Sequence, residues 1–228
     1  MSKETTDNKL KSSIMDLAEL NRKYKEQVSD SYADISTKYG LPDVELSFVF
    51  GDGIGARPVV LLGEAPGKDE VREGRPFVGA AGKILDDLLI RSGIDRASLY
   101  ITNTVKYRLV KQGKRTDTFA NRPVKPVEID LCSEWLLNEL KIVRPRLLLT
   151  LGNTALKGAL NCLDTSSALN KTVGEVHGMK FETILKESGH PVLLIPLYHP
   201  ASLIYNRTLR PQYEDDLEGV KKCVQLIL

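Results

Sequence analysis

Four short, mostly apolar runs constrain this chain more than any other feature: the continuously apolar "PVVLLG" at 58–63, then "LYITNTV" at 99–105, "RLLLTLG" at 146–152 and "PVLLIPLYHP" at 191–200. A strand that is apolar on both faces belongs in a parallel sheet covered by helices on both sides. Amphipathic stretches of helical period separate the runs: "AAGKILDDLLIRSG", "PVEIDLCSEWLLNELKIV", "NTALKGAL" and the closing "QYEDDLEGVKKCVQLIL". Strands alternating with helices give an α/β fold, a three-layer α/β/α sandwich around a central, mostly parallel sheet. "ELSFVFGDGIGARP" adds an expected strand and a glycine-rich turn, and Asn153 is the expected cap of the "NTALKGAL" helix. Residues 109–125 read as a polar, basic loop. A further helix is expected from Asn8 to Tyr39, ended by Gly40 and Pro42. Residues 1–40 therefore form a helical extension packed on the domain of residues 41–228.

The chain has 228 residues and a formal net charge of +2, so overall charge does not announce a nucleic-acid partner. Its distribution says more. Between Asn103 and Lys125 stand Lys106, Arg108, Lys111, Lys114, Arg115, Arg122 and Lys125 against Asp117 alone, a local excess of six. The ordinary reading is a solvated face, and the sharper one is a phosphate-binding rim. Three widely spaced cysteines, Cys132, Cys162 and Cys223, read as reduced thiols of a cytoplasmic protein. No apolar run is long enough to span a membrane, and "MSKETTDNKLKSS" lacks the apolar core of a signal peptide.

Open parallel sheets bind ligands beyond the carboxyl ends of their strands. Three polar segments fall there: "GEAPG" after Leu62, Thr102–Asn103, and His199–Pro200. "GEAPG" is not a P-loop, because Gly67-Lys68 is followed by Asp69 rather than Ser or Thr. Alone it is a turn. Phe77, in the glycine-flanked "GRPFVG", is either core or a stacking face for a base. Asn103 either ends a strand or reads a base edge through an amide with one acceptor and two donors. His199 is one of three histidines, placed at a proline-stiffened strand end. Leu203 and Ile204 read as exposed apolar residues at a loop tip, suited to wedging into a base stack.

The ordered set "GEAPG", "GRPFVGAAGKILDDLL", "YITNTVK", "NRPVKPVEIDLC", "LLLTLGNTAL", "YHPASLI" and "YEDDLE" resembles the family 4 uracil-DNA glycosylases over roughly Phe48 to Leu217. The resemblance implies an enzyme of base-excision repair that flips uracil out of DNA and hydrolyses its N-glycosidic bond without a cofactor in the chemistry. It implies Glu64 as the acid that orients water and stabilises the cationic sugar, and His199 as the donor to uracil O2. Phe77 would stack on the base, Asn103 would read O4 and N3–H, and Ala65 would line the pocket. Glu70 matches a position that crowds the thymine methyl. Ser202, Leu203 and Ile204, with Lys106, Lys111, Lys114 and Arg115, would contact DNA. The expected partner is uracil-containing DNA, bound by a monomer, with no membrane.

The sequence departs from this family in two respects: the loop "YRLVKQGKRTDTFANRP" is longer than the usual short turn after the lysine, and the cysteines differ. Such proteins typically hold a [4Fe–4S] cluster on four cysteines, and here only Cys132 stands at a family position, with Tyr107 at another. One thiolate cannot hold a cubane, so no metal or cofactor is expected. Two other readings stay open: a glycosylase for another deaminated base such as hypoxanthine, and a non-catalytic DNA-binding module of the same fold.

Overall fold

A computed structural model describes residues 3–53, 58–113, 118–165 and 171–227. Its centre is a six-stranded sheet in the order β2-β1-β5-β8-β7-β6. The four apolar runs supply β1 (Val59–Gly63), β2 (Tyr100–Asn103), β5 (Leu147–Leu151) and β8 (His190–Leu197), all mutually parallel. Two short antiparallel strands complete one edge, β6 (Leu163–Asp164) and β7 (Phe181–Leu185). Alternation along β1 shows why both faces are apolar. Val59 and Leu61 pack beneath α3 (Ala80–Arg91) and α8 (Arg210–Ile227), whereas Val60 and Leu62 pack beneath α4 (Pro126–Val143) and α5 (Gly152–Cys162). These are the three expected layers.

A third apolar cluster lies outside the sheet. α1 (Lys3–Tyr39) lays Tyr24 and Tyr32 against Phe48, Tyr107, Cys132 and Trp135, the last two from α4. The rings meet edge to face: Tyr24 with Trp135 at 5.4 Å and Tyr32 with Tyr107 at 5.8 Å between centroids. Offset and edge contacts of this kind suit the charge distribution of aromatic rings. Lys125 Nζ donates to the carbonyls of Tyr39 and Gly40, capping the end of α1. No helix among the described residues is long and apolar enough to cross a membrane.

Several expectations change. The basic loop carries a hairpin, β3 (Val110–Gln112) paired antiparallel with β4 (Phe119–Asn121). The "SFVF" stretch makes only isolated bridges, Phe48 to Tyr107 and Asp52 to Ile101. Asn153 does not cap α5, because its Oδ1 accepts from Val173 N–H at 2.7 Å and Leu151 takes the cap position.

Candidate active site at the carboxyl edge of the sheet

Pairing of β1 with β2 brings Gly63 beside Asn103. The ladder continues past the strands: Thr104 N–H donates to Gly63 O and Val105 N–H to Glu64 O, each at 2.9 Å. The backbone on both sides of Glu64 is thereby pinned. A Cβ at position 63 would lie 2.4 Å from Asn103 Oδ1 and 2.6 Å from the Phe77 ring. Only glycine lets the amide and the ring close over this strand end.

Phe77 itself has φ 54°, a left-handed backbone that a residue with a bulky side chain rarely adopts. Its loop is held from two sides. Arg96 donates to the carbonyls of Pro76 and Phe77, and Glu70 Oε1 accepts from the N–H groups of Val78 and Gly79 at 3.0 and 2.7 Å. Glu70 Oε2 accepts from Gly67 N–H at 3.1 Å. One carboxylate therefore ties the "GEAPG" bend to the phenylalanine loop. Strain held in this way is typical of sites where a side chain must be aimed.

The result is a cavity of about 350 Å³ that Phe77, Asn103 and His199 share with Ala65, Gly67 and Glu70. A second, of about 380 Å³, adjoins it across His199 and is lined by Glu64, Thr154 and Ser202. Glu64 Oε2 accepts from Thr154 Oγ1–H at 2.6 Å. That hydroxyl, from the first turn of α5, fixes the carboxylate plane and leaves Oε1 free of any protein donor among the described residues. A larger groove of about 600 Å³ runs along α1, lined mostly by charged and polar surface residues, and touches neither of these.

His199 follows β8, and its Nδ1 accepts from Ala201 N–H at 3.2 Å. A neutral ring so bonded carries its hydrogen on Nε2. Burial pushes the imidazole below its usual 6.5, opposed by the nearby Glu64 carboxylate. The Phe77 ring lies 6.0 Å away, centroid to centroid. The other two histidines serve the scaffold: His177 pairs with Asp216 at 2.7 Å, and His190 meets the Pro145 carbonyl. The lowered titration has a consequence for stability. The unfolded chain takes up a proton near its ordinary value while the folded ring stays neutral, so stability falls as pH drops below about 6.5. His199→Gln should remove that part of the fall. Unfolding free energies of both proteins at about pH 8 and about pH 5.5 check this, and equal losses would contradict it.

The residues expected to contact DNA divide. Lys106 is only 3% exposed, and its Nζ donates to Glu139 Oε2 at 2.6 Å, Thr102 Oγ1 at 2.7 Å and the Asn103 carbonyl at 2.5 Å. It is therefore not a phosphate contact: its charge is spent on a buried carboxylate. The Arg122 side chain is likewise only 8% exposed, in a two-pronged pair with Glu128. Leu203 is 5% exposed and belongs to the core, whereas Ile204 is 48% and its neighbour Tyr205 88% exposed. Ser202 lines the cavity beside Glu64. Lys111 is exposed on β3, and Lys114 and Arg115 lie outside the described residues. Sequence reasoning missed Thr154 and Glu139. The first stood in an expected helix and the second on an amphipathic face, and neither spacing distinguished them.

A four-thiolate cluster does not fit the third apolar cluster. Cys132 Sγ lies 3.1 Å from Tyr24 Oη, burial pushes the thiol up to about 11, and no second cysteine stands in this cluster among the described residues. Cys162 lies in α5 and Cys223 in α8, both buried elsewhere. Among the described residues no group of three His, Cys, Asp or Glu side chains is placed to hold a metal ion.

Comparison with known proteins agrees with this geometry. The profile of the uracil DNA glycosylase superfamily matches residues 50–219. A type-4 uracil-DNA glycosylase of Archaeoglobus fulgidus is 34% identical over 183 residues, which cover 80% of this chain and 85% of that protein. One from Thermotoga maritima is 34% identical over 185 residues, covering 78% and 83%. One from Sulfurisphaera tokodaii is 33% identical over 174 residues, covering 75% and 72%. The match spans every strand of the sheet and each loop that reaches the two cavities, and by it the chain belongs to the uracil DNA glycosylase superfamily.

Proposed function

We propose that this protein releases uracil from DNA by hydrolysing the N-glycosidic bond of a flipped-out deoxyuridine. The observation that carries the reading is the convergence of Phe77, Asn103 and His199 on one cavity, with Glu64 opening on its neighbour. Extrusion is needed because the bond cannot be reached inside a duplex. The base stacks on Phe77. The Asn103 amide accepts from N3–H and donates to O4, which selects uracil over cytosine. As the bond breaks, negative charge gathers on O2 and positive charge on the sugar. His199 Nε2–H donates to O2, and burial keeps the ring neutral with that hydrogen in place. Glu64, turned by Thr154, offers its free oxygen to the attacking water and its charge to the cationic sugar. Donors fixed before the reaction stabilise such charge without reorganising. Glu70, held by three backbone bonds, forms a rigid wall that excludes a 5-methyl group. Ser202 and Ile204 face DNA, with Lys111 contributing charge, and the protein works as a single chain in the cytoplasm.

Asn103→Asp tests the recognition step. A carboxylate accepts from the cytosine amino group and repels the uracil O4, so the preference for uracil over cytosine should fall about tenfold or more. Single-turnover release from matched uracil- and cytosine-containing strands measures it. An unchanged ratio in a folded variant would mean that Asn103 does not face the base.

The protein also works without an iron–sulfur cluster in this reading, and residues 1–40 serve as the brace. Support comes from Tyr24, Tyr32 and Tyr107, which pack around Cys132 where a cluster would need thiolates. Each large apolar side chain so buried is worth roughly 1.5–3 kcal/mol. Protein purified without oxygen should be colourless and free of stoichiometric iron. Removal of residues 1–40 should lower Tm by about 5 °C or more. Stoichiometric iron, or a truncated chain that melts with the full one, would overturn the brace.

A further inference from the structure

The hairpin of β3 and β4 reaches the base cavity through one residue. Asn121, the last residue of β4, lines that cavity beside Gly67 and Glu70. Its orientation is set by chemistry rather than by choice. Arg108 Nε–H donates to Asn121 Oδ1 at 2.9 Å, and a guanidinium only donates, so the amide oxygen faces Arg108. The amide nitrogen then faces the Gly67 side, 3.5 Å from where a Cβ of Gly67 would stand. It has no acceptor among the described residues. The hairpin base is rigid at this point. Arg122, the next residue, is locked to both oxygens of the buried Glu128, and its N–H donates to Leu109 O.

We propose that Asn121 is a further DNA-binding residue of this site, whose Nδ2–H donates to a phosphodiester oxygen of the flipped nucleotide. The inference rests on the uracil-release reading. Its position decides which part of the nucleotide it meets. The buried end of the cavity already holds Asn103 and His199 for the base edges, whereas Asn121 is exposed at the mouth, where the backbone must pass. Two cations stand near it, Arg108 just before the hairpin and the exposed Lys111 on β3, which suits an anionic ligand; of the two carboxylates that also line the cavity, Asp69 and Glu70, the second is already engaged by three backbone N–H groups. Two donors held by a neighbouring arginine need no reordering when the strand arrives.

Kinetics on uracil-containing single strands test this. Asn121→Ala should raise KM about tenfold, the worth of one hydrogen bond to a charged acceptor, with kcat within about twofold. Asn121→Asp keeps the arginine contact but turns a negative charge to the phosphate, so its KM should rise further. Inhibition by free uracil, which has no phosphate, should be the same in all three proteins. An unchanged KM in an active Asn121→Ala sinks this inference alone. Free-uracil inhibition weakened in step with KM also overturns it, since the amide would then touch the base. A wild-type protein that releases no uracil removes the function and this inference together.

Discussion

Alanine in place of Glu64 or His199 should slow uracil release about a hundredfold or more, with the fold intact. The two side chains act on opposite charges of one transition state. His199 donates through Nε2 because its Nδ1 is already taken by Ala201 N–H. Without the ring, negative charge on the departing base meets only the Asn103 amide. Glu64 is held by Thr154 at 2.6 Å, so its charge and its free oxygen are aimed before substrate arrives. Both side chains are only partly buried at the sheet edge, and their loss opens no large void. The loss should fall on kcat, because these contacts strengthen as charge develops. Near-normal turnover by a folded His199→Ala protein would take His199 out of this role.

Glu139→Ala should cost about 3–5 kcal/mol of stability, because it leaves the Lys106 charge buried without its partner. Glu139 is fully committed: Oε2 accepts from Lys106, and Oε1 accepts from Tyr100 Oη–H at 2.9 Å and Thr102 Oγ1–H at 3.0 Å. Replacing both charges, Lys106→Met with Glu139→Leu, should recover part of that stability, since a buried pair is often matched by apolar packing, while the Tyr100 and Thr102 hydroxyls lose their acceptor. It should not recover recognition. Lys106 Nζ also donates to the Asn103 carbonyl, so the double variant should bind uracil-containing DNA less tightly though it is folded. Denaturant titration and KM on the three proteins separate the two effects. A Glu139→Ala protein within about 1 kcal/mol of wild type would contradict the buried pair.

What was legible in the sequence follows from how each segment is buried. β1, β2, β5 and β8 are covered on both faces, and continuous apolar runs announce such strands. β7 is not: Glu182 and Ile184 are exposed, alternating with the half-buried Phe181 and the buried Thr183 and Leu185, and "FETIL" carries no continuous apolar run. β6 has two residues and no pattern to read. The β3–β4 hairpin is exposed apart from the half-buried Val110, so no buried face announced its pairing. Lys106 misled for a physical reason. A lysine among basic residues reads as surface, and nothing local reveals that Glu139, 33 residues on, meets it in the interior. Leu203 looked like a loop-tip wedge because its position after "HP" is legible while its rotation into the core is not. Glu64, Asn103 and His199 stood out because each sits where a strand ends, and sheet topology brings such ends to one edge; Phe77 stood out as an aromatic ring in a glycine-flanked loop shortly after the first of them.

Uracil release is measured most simply with two single-stranded DNAs that differ at one nucleotide, uracil in one and hypoxanthine in the other, and the wild-type protein purified free of iron. Rapid release of uracil is expected and, because hypoxanthine is a two-ring purine too large for a site shaped to one pyrimidine, although its carbonyl and N–H edge is the one the Asn103 amide reads, little or none of hypoxanthine. Preferential release of hypoxanthine, or binding of both strands with no release, would contradict it.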